Sequence, residues 1–373
     1  MILSLFYMIN QKQASNFNWL LFSAILIISI IGVIVINSAN HGQPKPFLRE
    51  LYIKQIYWIL LGLVAMSIAI AIDYRILSQH AYIIYSLTVL ALIYVVISGD
   101  SAYGARRWIH IGSLSIQISE FAKISLIIVL AKYFEPGKAQ GQYVLKDLWI
   151  PALLTSIIGL LIAIQPDLGT AIMIFLIFLV FITAIEISGA FLTKLFGTCI
   201  LIAPLLWFFL RDYQKRRVMT LFNPEIDPLG AGYHSIQSKI AIGSGGFSGK
   251  GFFMGTQSRL NFLPEKHTDF IFSVFAEETG FVGVVLLFSI YLFIILKGLS
   301  IAFRASDRFS LFLALGIVSS ISFYILFNIG MTIGLFPITG LPLPLLSYGG
   351  SSLITNFFAF GLLLNIGMRR MGH

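Results

Sequence analysis

Apolar runs of about twenty residues recur along the chain, separated by short polar segments. A helix of that length rises far enough to cross about 30 Å of hydrocarbon. The pattern predicts ten membrane-spanning helices, at roughly 17–38, 51–72, 80–98, 116–133, 148–165, 168–186, 190–210, 269–296, 309–335 and 346–368. The fourth is the least apolar, because Glu120 and Lys123 lie inside it, and the tight turn "QPDLG" joins the fifth to the sixth. The first run, Phe17 to Asn37, is too long for a signal-peptide core and has no Ala-x-Ala site, so it reads as a retained span. The expected fold is all-α and polytopic, one transmembrane domain over residues 1–373. A single large loop, 211–267, lies between the seventh and eighth spans. That loop is too short and Gly-rich for a core of its own. Its "YHSIQSKIAI" segment could form an amphipathic helix at the membrane surface.

Composition agrees. The chain is 58% hydrophobic and only 11% charged, too little charge to cover a soluble domain of 373 residues. The net charge of +9 raises nucleic acid as a partner, but the basic residues are dispersed among loops with no binding signature. Membrane orientation and anionic lipid account for them better. With the N-terminus inside, the inner segments carry 11 Lys and Arg and the short outer loops 5. Both termini are therefore expected in the cytoplasm, and loop 211–267 outside.

Five constellations could carry chemistry. "IGSGGFSGKGFFMG" resembles a phosphate loop but fails the Gly-x-x-x-x-Gly-Lys-[Ser/Thr] pattern at Ser244 and Gly251. It is either a flexible loop or a set of N–H groups and Lys250 that approach a phosphate. In "QISEFAKI", Glu120 and Lys123 are three residues apart on one helical face. Intramembrane charges at that spacing form a structural ion pair or part of a substrate site. Asp167 in "QPDLG" reads first as the N-cap of the following span. The Pro- and Gly-punctuated "NIGMTIGLFPITGLPLPLLSYGGSS" is a rigid turn or one wall of a polar groove. Last, Asp269, Ser273, Ala276, Glu277 and Gly280 form a narrow polar or small stripe on an otherwise apolar helix, with Asp269 at its outer end. Thr268 could cap that helix, with Asp269 in its first turn. The helix dipole would then lower the Asp269 pKa, while apolar burial would raise it. No Asp-x-Asp, His-Glu-x-x-His, Cys-x-x-Cys or Gly-x-Ser-x-Gly motif is present, and Glu225-Ile-Asp227 is the nearest approach to the first.

In order along the chain, "GARRWIHIGSLSIQISEFAKI", "QPDLGT", "YQKRRV", "LGAGYHSIQSKIAIGSGG", "PEKHTDFIF", "AEETGFVG" and "PLPLLSYGGSS" resemble the SEDS family of bacterial cell-wall proteins, which includes RodA, FtsW and SpoVE. "QSKIAIGSGG" and "NIGMTIGLFPITG" look like the elongation branch. Thr279 departs from the commoner Leu. The resemblance implies a peptidoglycan glycosyltransferase that polymerises lipid II at the outer face of the cytoplasmic membrane during elongation. It also implies a class B penicillin-binding protein and other elongation-complex membrane proteins as partners. The family's essential acid maps onto Asp269, its intramembrane Glu and Lys onto Glu120 and Lys123, and its arginines onto Arg107 and Arg217. The chemistry needs a base for the acceptor hydroxyl and cations for the departing lipid diphosphate. Asp269 is the expected base. Arg107, Arg217, Lys239, Gln237, Glu120 and Lys123 are the expected substrate-binding set, and a divalent cation (Mg²⁺ or Mn²⁺) could share the charge. The rival readings are a lipid II flippase, which needs polar groups along a path to the cytoplasm, and a scaffold, for which Asp269 is dispensable.

Overall fold

The computed structural model describes residues 16–43, 45–102, 105–111, 114–137, 143–185, 210–228, 230–260, 262–263 and 265–369, with scattered positions between 189 and 208. The expected seventh span, 190–210, lies largely outside the described residues. The helices longer than two turns are α1 (Trp19–Ala39), α2 (Leu51–Ala71), α3 (Ala81–Ser98), α4 (Ile118–Phe134), α5 (Leu145–Ile164), α6 (Leu168–Ala184), α7 (Asp212–Phe222), α8 (Ala231–Ser244), α9 (Ile271–Phe303), α10 (Arg308–Ile333) and α11 (Gly350–Arg369). Among the described residues seven of them, α1, α2, α3, α5, α9, α10 and α11, are long and apolar enough to cross a membrane. The fourth and sixth expected spans fall on α4 and α6, helices of 17 residues each. The protein is a multi-pass, predominantly α-helical membrane protein.

Between α3 and α4 the chain forms a small sheet that the hydropathy pattern did not predict. Its strands β1 (Asp100–Ala102), β2 (Ala105–Ile111) and β3 (Leu114–Gln117) are antiparallel in that order. Trp108 pairs with Gln117 and Ile111 with Leu114. The fourth span therefore starts at Ile118, later than expected, because Leu114–Gln117 is committed to the sheet. β3 is tied to the start of α11, where Ser351 Oγ accepts from the Gln117 amide at 3.0 Å.

Lipid tails are as apolar as leucine, so close packing and interhelical hydrogen bonds must hold such helices together. α2 and α11 are an example. A Cβ on Gly361 would lie 2.7 Å from the Met66 carbonyl oxygen. Asn365 Nδ2 donates to the carbonyls of Ala69 at 2.9 Å and Ile70 at 2.7 Å. Tyr85 on α3 donates to Leu154 O on α5 at 2.8 Å. Phe134, Phe181 and Phe312 interlock α4, α6 and α10, with ring centroids 5.7 to 6.2 Å apart. One end of the bundle carries Arg369–Asp73 at 2.8 Å, Lys132–Glu135 at 2.7 Å and the Tyr74–Asp307 hydrogen bond at 2.6 Å. The sheet, α7, α8 and the irregular segment 334–349 gather at the other.

α9 is not continuous. Gly280 has φ 65° and ψ −164°, outside any helical conformation. The Glu277 and Glu278 carbonyls accept instead from the Lys250 amide (3.1 Å) and the Gly251 amide (2.9 Å). The amides freed beyond the break, Phe281 and Val282, donate to Gly246 O (2.9 Å) and Phe247 O (3.2 Å). The Gly-rich loop is thus inserted into the helical ladder, and two lost bonds become four. This insertion accounts for its glycines: a Cβ on Gly249 would lie 2.2 Å from Glu278 O, and one on Gly280 2.2 Å from the Gly249 nitrogen. The expected polar stripe therefore belongs only to the piece of α9 before Gly280.

Candidate active site

Asp269 sits two residues before α9, half-buried. Among the described residues none donates a hydrogen bond to its carboxylate. Its main chain, by contrast, is held firmly. The carbonyls of His267, Thr268 and Asp269 accept in turn from the Tyr348 amide (2.9 Å), Ser347 Oγ (2.7 Å) and Asn328 Nδ2 (3.0 Å). Asn328 Nδ2 also donates to Leu341 O at 2.7 Å. Segment 334–349 enters the bundle deeply. Tyr291 donates to Pro344 O at 2.7 Å, and Gln55 donates to Ser347 O at 3.0 Å. Buried Leu345 adopts φ 66°, a left-handed conformation that costs a non-glycine residue about 1 kcal/mol or more. Irregular backbone at this depth is tolerated because it is buried in protein.

Two cations face the Asp269 carboxylate. Arg107 on β2 donates to Gln165 O at 3.0 Å and to Pro166 O, and its guanidinium lies 4.0 Å from Asp167. Arg217 on α7 is exposed and donates to Ile338 O at 3.2 Å. Enclosure by protein, reinforced by the Glu265 charge, pushes the Asp269 carboxyl up to about 7, and Arg217 and Arg107 hold it down from going higher. Asp167 adds a small further upward push. The expected Thr268 cap is not formed and Asp269 lies outside the first turn of α9, whose N-cap position is Phe270 without a side-chain cap, so burial and the neighbouring charges set its pKa.

Asp167 caps α6. It accepts from the Thr170 amide at 3.2 Å and the Thr170 hydroxyl at 3.0 Å, as the turn sequence predicts. Glu120 and Lys123 form a buried ion pair at 2.8 Å, and both are nearly inaccessible. Tyr324 donates to Glu120 at 3.3 Å, and its ring lies 3.8 Å below the Lys123 ammonium. Lys123 is within electrostatic reach of Asp167, so the pair adjoins the site from inside the bundle.

α8 is anchored by Ser238, which bonds Ser273 Oγ and Thr332 O, both at 2.7 Å. The neighbouring Lys239 is exposed, and its stem packs over Gly334 at the C-terminal end of α10, where the helix dipole favours a cation. Gln237, also on α8, is half-buried. The structure thus brings Arg107, Arg217 and Asp167 around Asp269 and sets Lys239 on an adjoining element. Lys250 is elsewhere. Its ammonium is 2.7 Å from Glu277, so the phosphate-approach reading of the Gly-rich loop gives way to a structural one. Asn328 and Ser347 lie in the stretch expected as a turn or groove wall, but nothing in the sequence marks their individual role. They act through main-chain carbonyls, which have no side-chain signature, although a lone Asn inside an apolar span is a signal of a buried partner.

A family model described as "Cell cycle protein" (FtsW, RodA, SpoVE) matches residues 18–371. The chain is 41% identical over 353 residues to the peptidoglycan glycosyltransferase MrdB of Escherichia coli K12, covering 93% of this chain and 92% of that one. It is 36% identical to the peptidoglycan glycosyltransferase RodA of Treponema pallidum, covering 96% and 99%. A chain in a solved peptidoglycan synthase complex superposes with a TM-score of 0.80 at 31% identity, over 95% of this chain and 98% of that one. The rod shape determining protein RodA of Thermus thermophilus superposes with a TM-score of 0.70 at 28% identity, over 96% and 98%.

Proposed function

We propose that this chain, which belongs to the FtsW/RodA/SpoVE family of cell cycle proteins, is a peptidoglycan glycosyltransferase that polymerises lipid II during cell elongation and rod-shape maintenance. The observation that carries the reaction is 41% identity, along nearly the whole chain, to a peptidoglycan glycosyltransferase. Asp269 is the general base. It takes the proton from the 4-hydroxyl of the acceptor sugar as that oxygen attacks the donor's anomeric carbon with inversion. The bond from that carbon to the diphosphate oxygen breaks, and undecaprenyl diphosphate leaves with the electron pair. A carboxylate that titrates near neutrality and accepts no hydrogen bond from described residues suits this role.

Arg217, Arg107 and Lys239 offset the charge on the departing diphosphate, and Gln237 contributes a neutral contact beside them. The buried pair Glu120 and Lys123 backs the site behind Asp167 and contributes to substrate binding by supporting that wall. Among the described residues no group of three or more His, Cys, Asp or Glu side chains could hold a metal ion. Mg²⁺ or Mn²⁺, where used, would share with these cations the charge of the lipid diphosphate.

Both termini lie in the cytoplasm and Asp269 faces the exterior. The excess of basic residues in the inner segments supports this orientation. The class B penicillin-binding protein that crosslinks the product is the main partner, beside other elongation-complex membrane proteins and membrane lipid. Similarity to a chain from a complex that coordinates polymerisation and crosslinking supports that partnership. A flippase would need charges along a path through the bundle. Glu277 and Glu278, the best candidates for one, are engaged by Lys250 and Ser38 at the same end as Asp269.

The test is to purify the protein with its penicillin-binding partner, supply lipid II and resolve glycan strands by gel. Wild type should give polymer and Asp269→Asn none. Equal polymer from both would remove the base assignment. No polymer from wild type would favour the flippase or scaffold.

A further inference from the structure

We propose that Asn328, with Ser347, is a positioning residue that sets the reactivity of Asp269 by clamping its main chain against segment 334–349. The inference rests on the general-base reading above.

The geometry is specific. Three successive carbonyls, at His267, Thr268 and Asp269, are each taken by a different donor. Asn328 is fully buried in α10 and bridges Asp269 O and Leu341 O with one amide nitrogen. Two acceptors on that nitrogen fix the orientation of the amide. Ser347 is a relay. Its hydroxyl donates to Thr268 O and accepts from the Leu343 amide at 2.8 Å, so one side chain ties the acid's strip to the turn that faces it. A Cβ on Gly340 would lie 3.5 Å from Asp269 Oδ2, so this same segment forms the wall beside the carboxylate.

A base held by two main-chain clamps presents its carboxylate at one place and in one degree of enclosure. Loosening the clamp should do two things. Proton abstraction should slow while lipid II still binds, because the cations are carried by other elements. The carboxylate should also gain water. The charged groups facing it are Glu265 from its own loop, Arg217 from α7, Arg107 from β2 and Asp167 from the start of α6, with Lys266 and His267 adjacent in sequence. None of these is removed by a change at residue 328.

The experiment is steady-state polymerisation of lipid II by the full-length protein with its penicillin-binding partner, across pH 5.5 to 9. Asn328→Ala should lower kcat by about tenfold or more with KM within about twofold. It should also move the acid limb of the kcat profile toward lower pH by about half a unit. Ser347→Ala should act in the same direction, and Ser347→Thr, which keeps the hydroxyl, should restore both readouts. An unchanged profile with kcat reduced only in proportion to lost thermal stability would make both residues structural and overturn the proposal. If Asn328→Ala does not fold, the Ser347 pair decides. Polymer absent from wild type, or unaffected by Asp269→Asn, would instead defeat the general-base reading.

Discussion

Lys250 Nζ donates to Glu277 Oε1 at 2.7 Å, and that same oxygen accepts from the Thr256 and Gln257 amides at 2.8 and 3.1 Å. Glu277 is fully buried, while Lys250 is about a quarter exposed. The pair fastens the Gly-rich loop over the break in α9. Lys250→Met would leave a buried carboxylate without its counterion, at a cost of about 3 kcal/mol. The expected result is early proteolytic cleavage in 246–256 and a lowered melting temperature. Unchanged protection of that loop would contradict it.

Gly280 sets a second expectation. Alanine there would need φ 65° and would place its Cβ 2.2 Å from the Gly249 nitrogen. Gly280→Ala should destabilise by about 2 kcal/mol or more, whereas Gly243→Ala, with nothing within 4 Å of its added Cβ, should be nearly silent. Comparing detergent melts of the two variants checks this.

The elevated Asp269 pKa predicts a pH profile. A general base works deprotonated, so the rate should fall as pH drops through about 7. At one pH unit below the midpoint, about a tenth of the maximal rate should remain. Arg217 favours the ionised form, so Arg217→Gln should move the midpoint toward higher pH and narrow the active range from the acid side. A midpoint that stays put in the variant would count against the electrostatic coupling.

Arg107 should not tolerate lysine. Its guanidinium spans two carbonyls, Gln165 O and Pro166 O, as well as approaching Asp167, and a single ammonium cannot reproduce that fork. Arg107→Lys should lose about tenfold in kcat/KM although the charge is kept. Lipid II titrations of the two proteins would measure it.

The Glu120–Lys123 pair separates structure from binding. Either single change, Glu120→Gln or Lys123→Met, breaks a buried ion pair and should cost about 3–5 kcal/mol. The double change Glu120→Leu with Lys123→Met should recover much of that stability. Recovered stability with polymerisation still lost would tie the charges to substrate. Recovery of both would make the pair architectural.

Legibility in the sequence followed locality. The apolar runs and the Glu120–Lys123 spacing lie within one element, and so does the Asp167 cap, where acceptor and donor are three residues apart. Each could be read directly. The sheet is hard to read from hydropathy because its alternating strands are short and abut an apolar helix. Gly112-Ser113 between two alternating stretches is the one hairpin signal in its sequence. The break at Gly280 leaves no mark in hydropathy, since Phe281 and Val282 continue the apolar run. Its cause is a loop some thirty residues earlier whose bonds to the broken ladder run from main chain to main chain. The clamp on Asp269 was hidden for the same reason: a carbonyl looks alike at every residue, so only the fold says which donor meets it.

The interruption at Gly280 also changes what α9 is for. The portion from Phe281 to Phe303 is long enough by itself to cross about 30 Å of hydrocarbon. The nine residues before Gly280 are then surplus to anchoring. They act as a post, roughly 13 Å tall at 1.5 Å per residue, rooted in the Gly-rich loop rather than in the membrane helix. Asp269 stands at the top of that post. Its position is accordingly set jointly by the seat of loop 246–256 under the post and by the grip of segment 334–349 on its main chain.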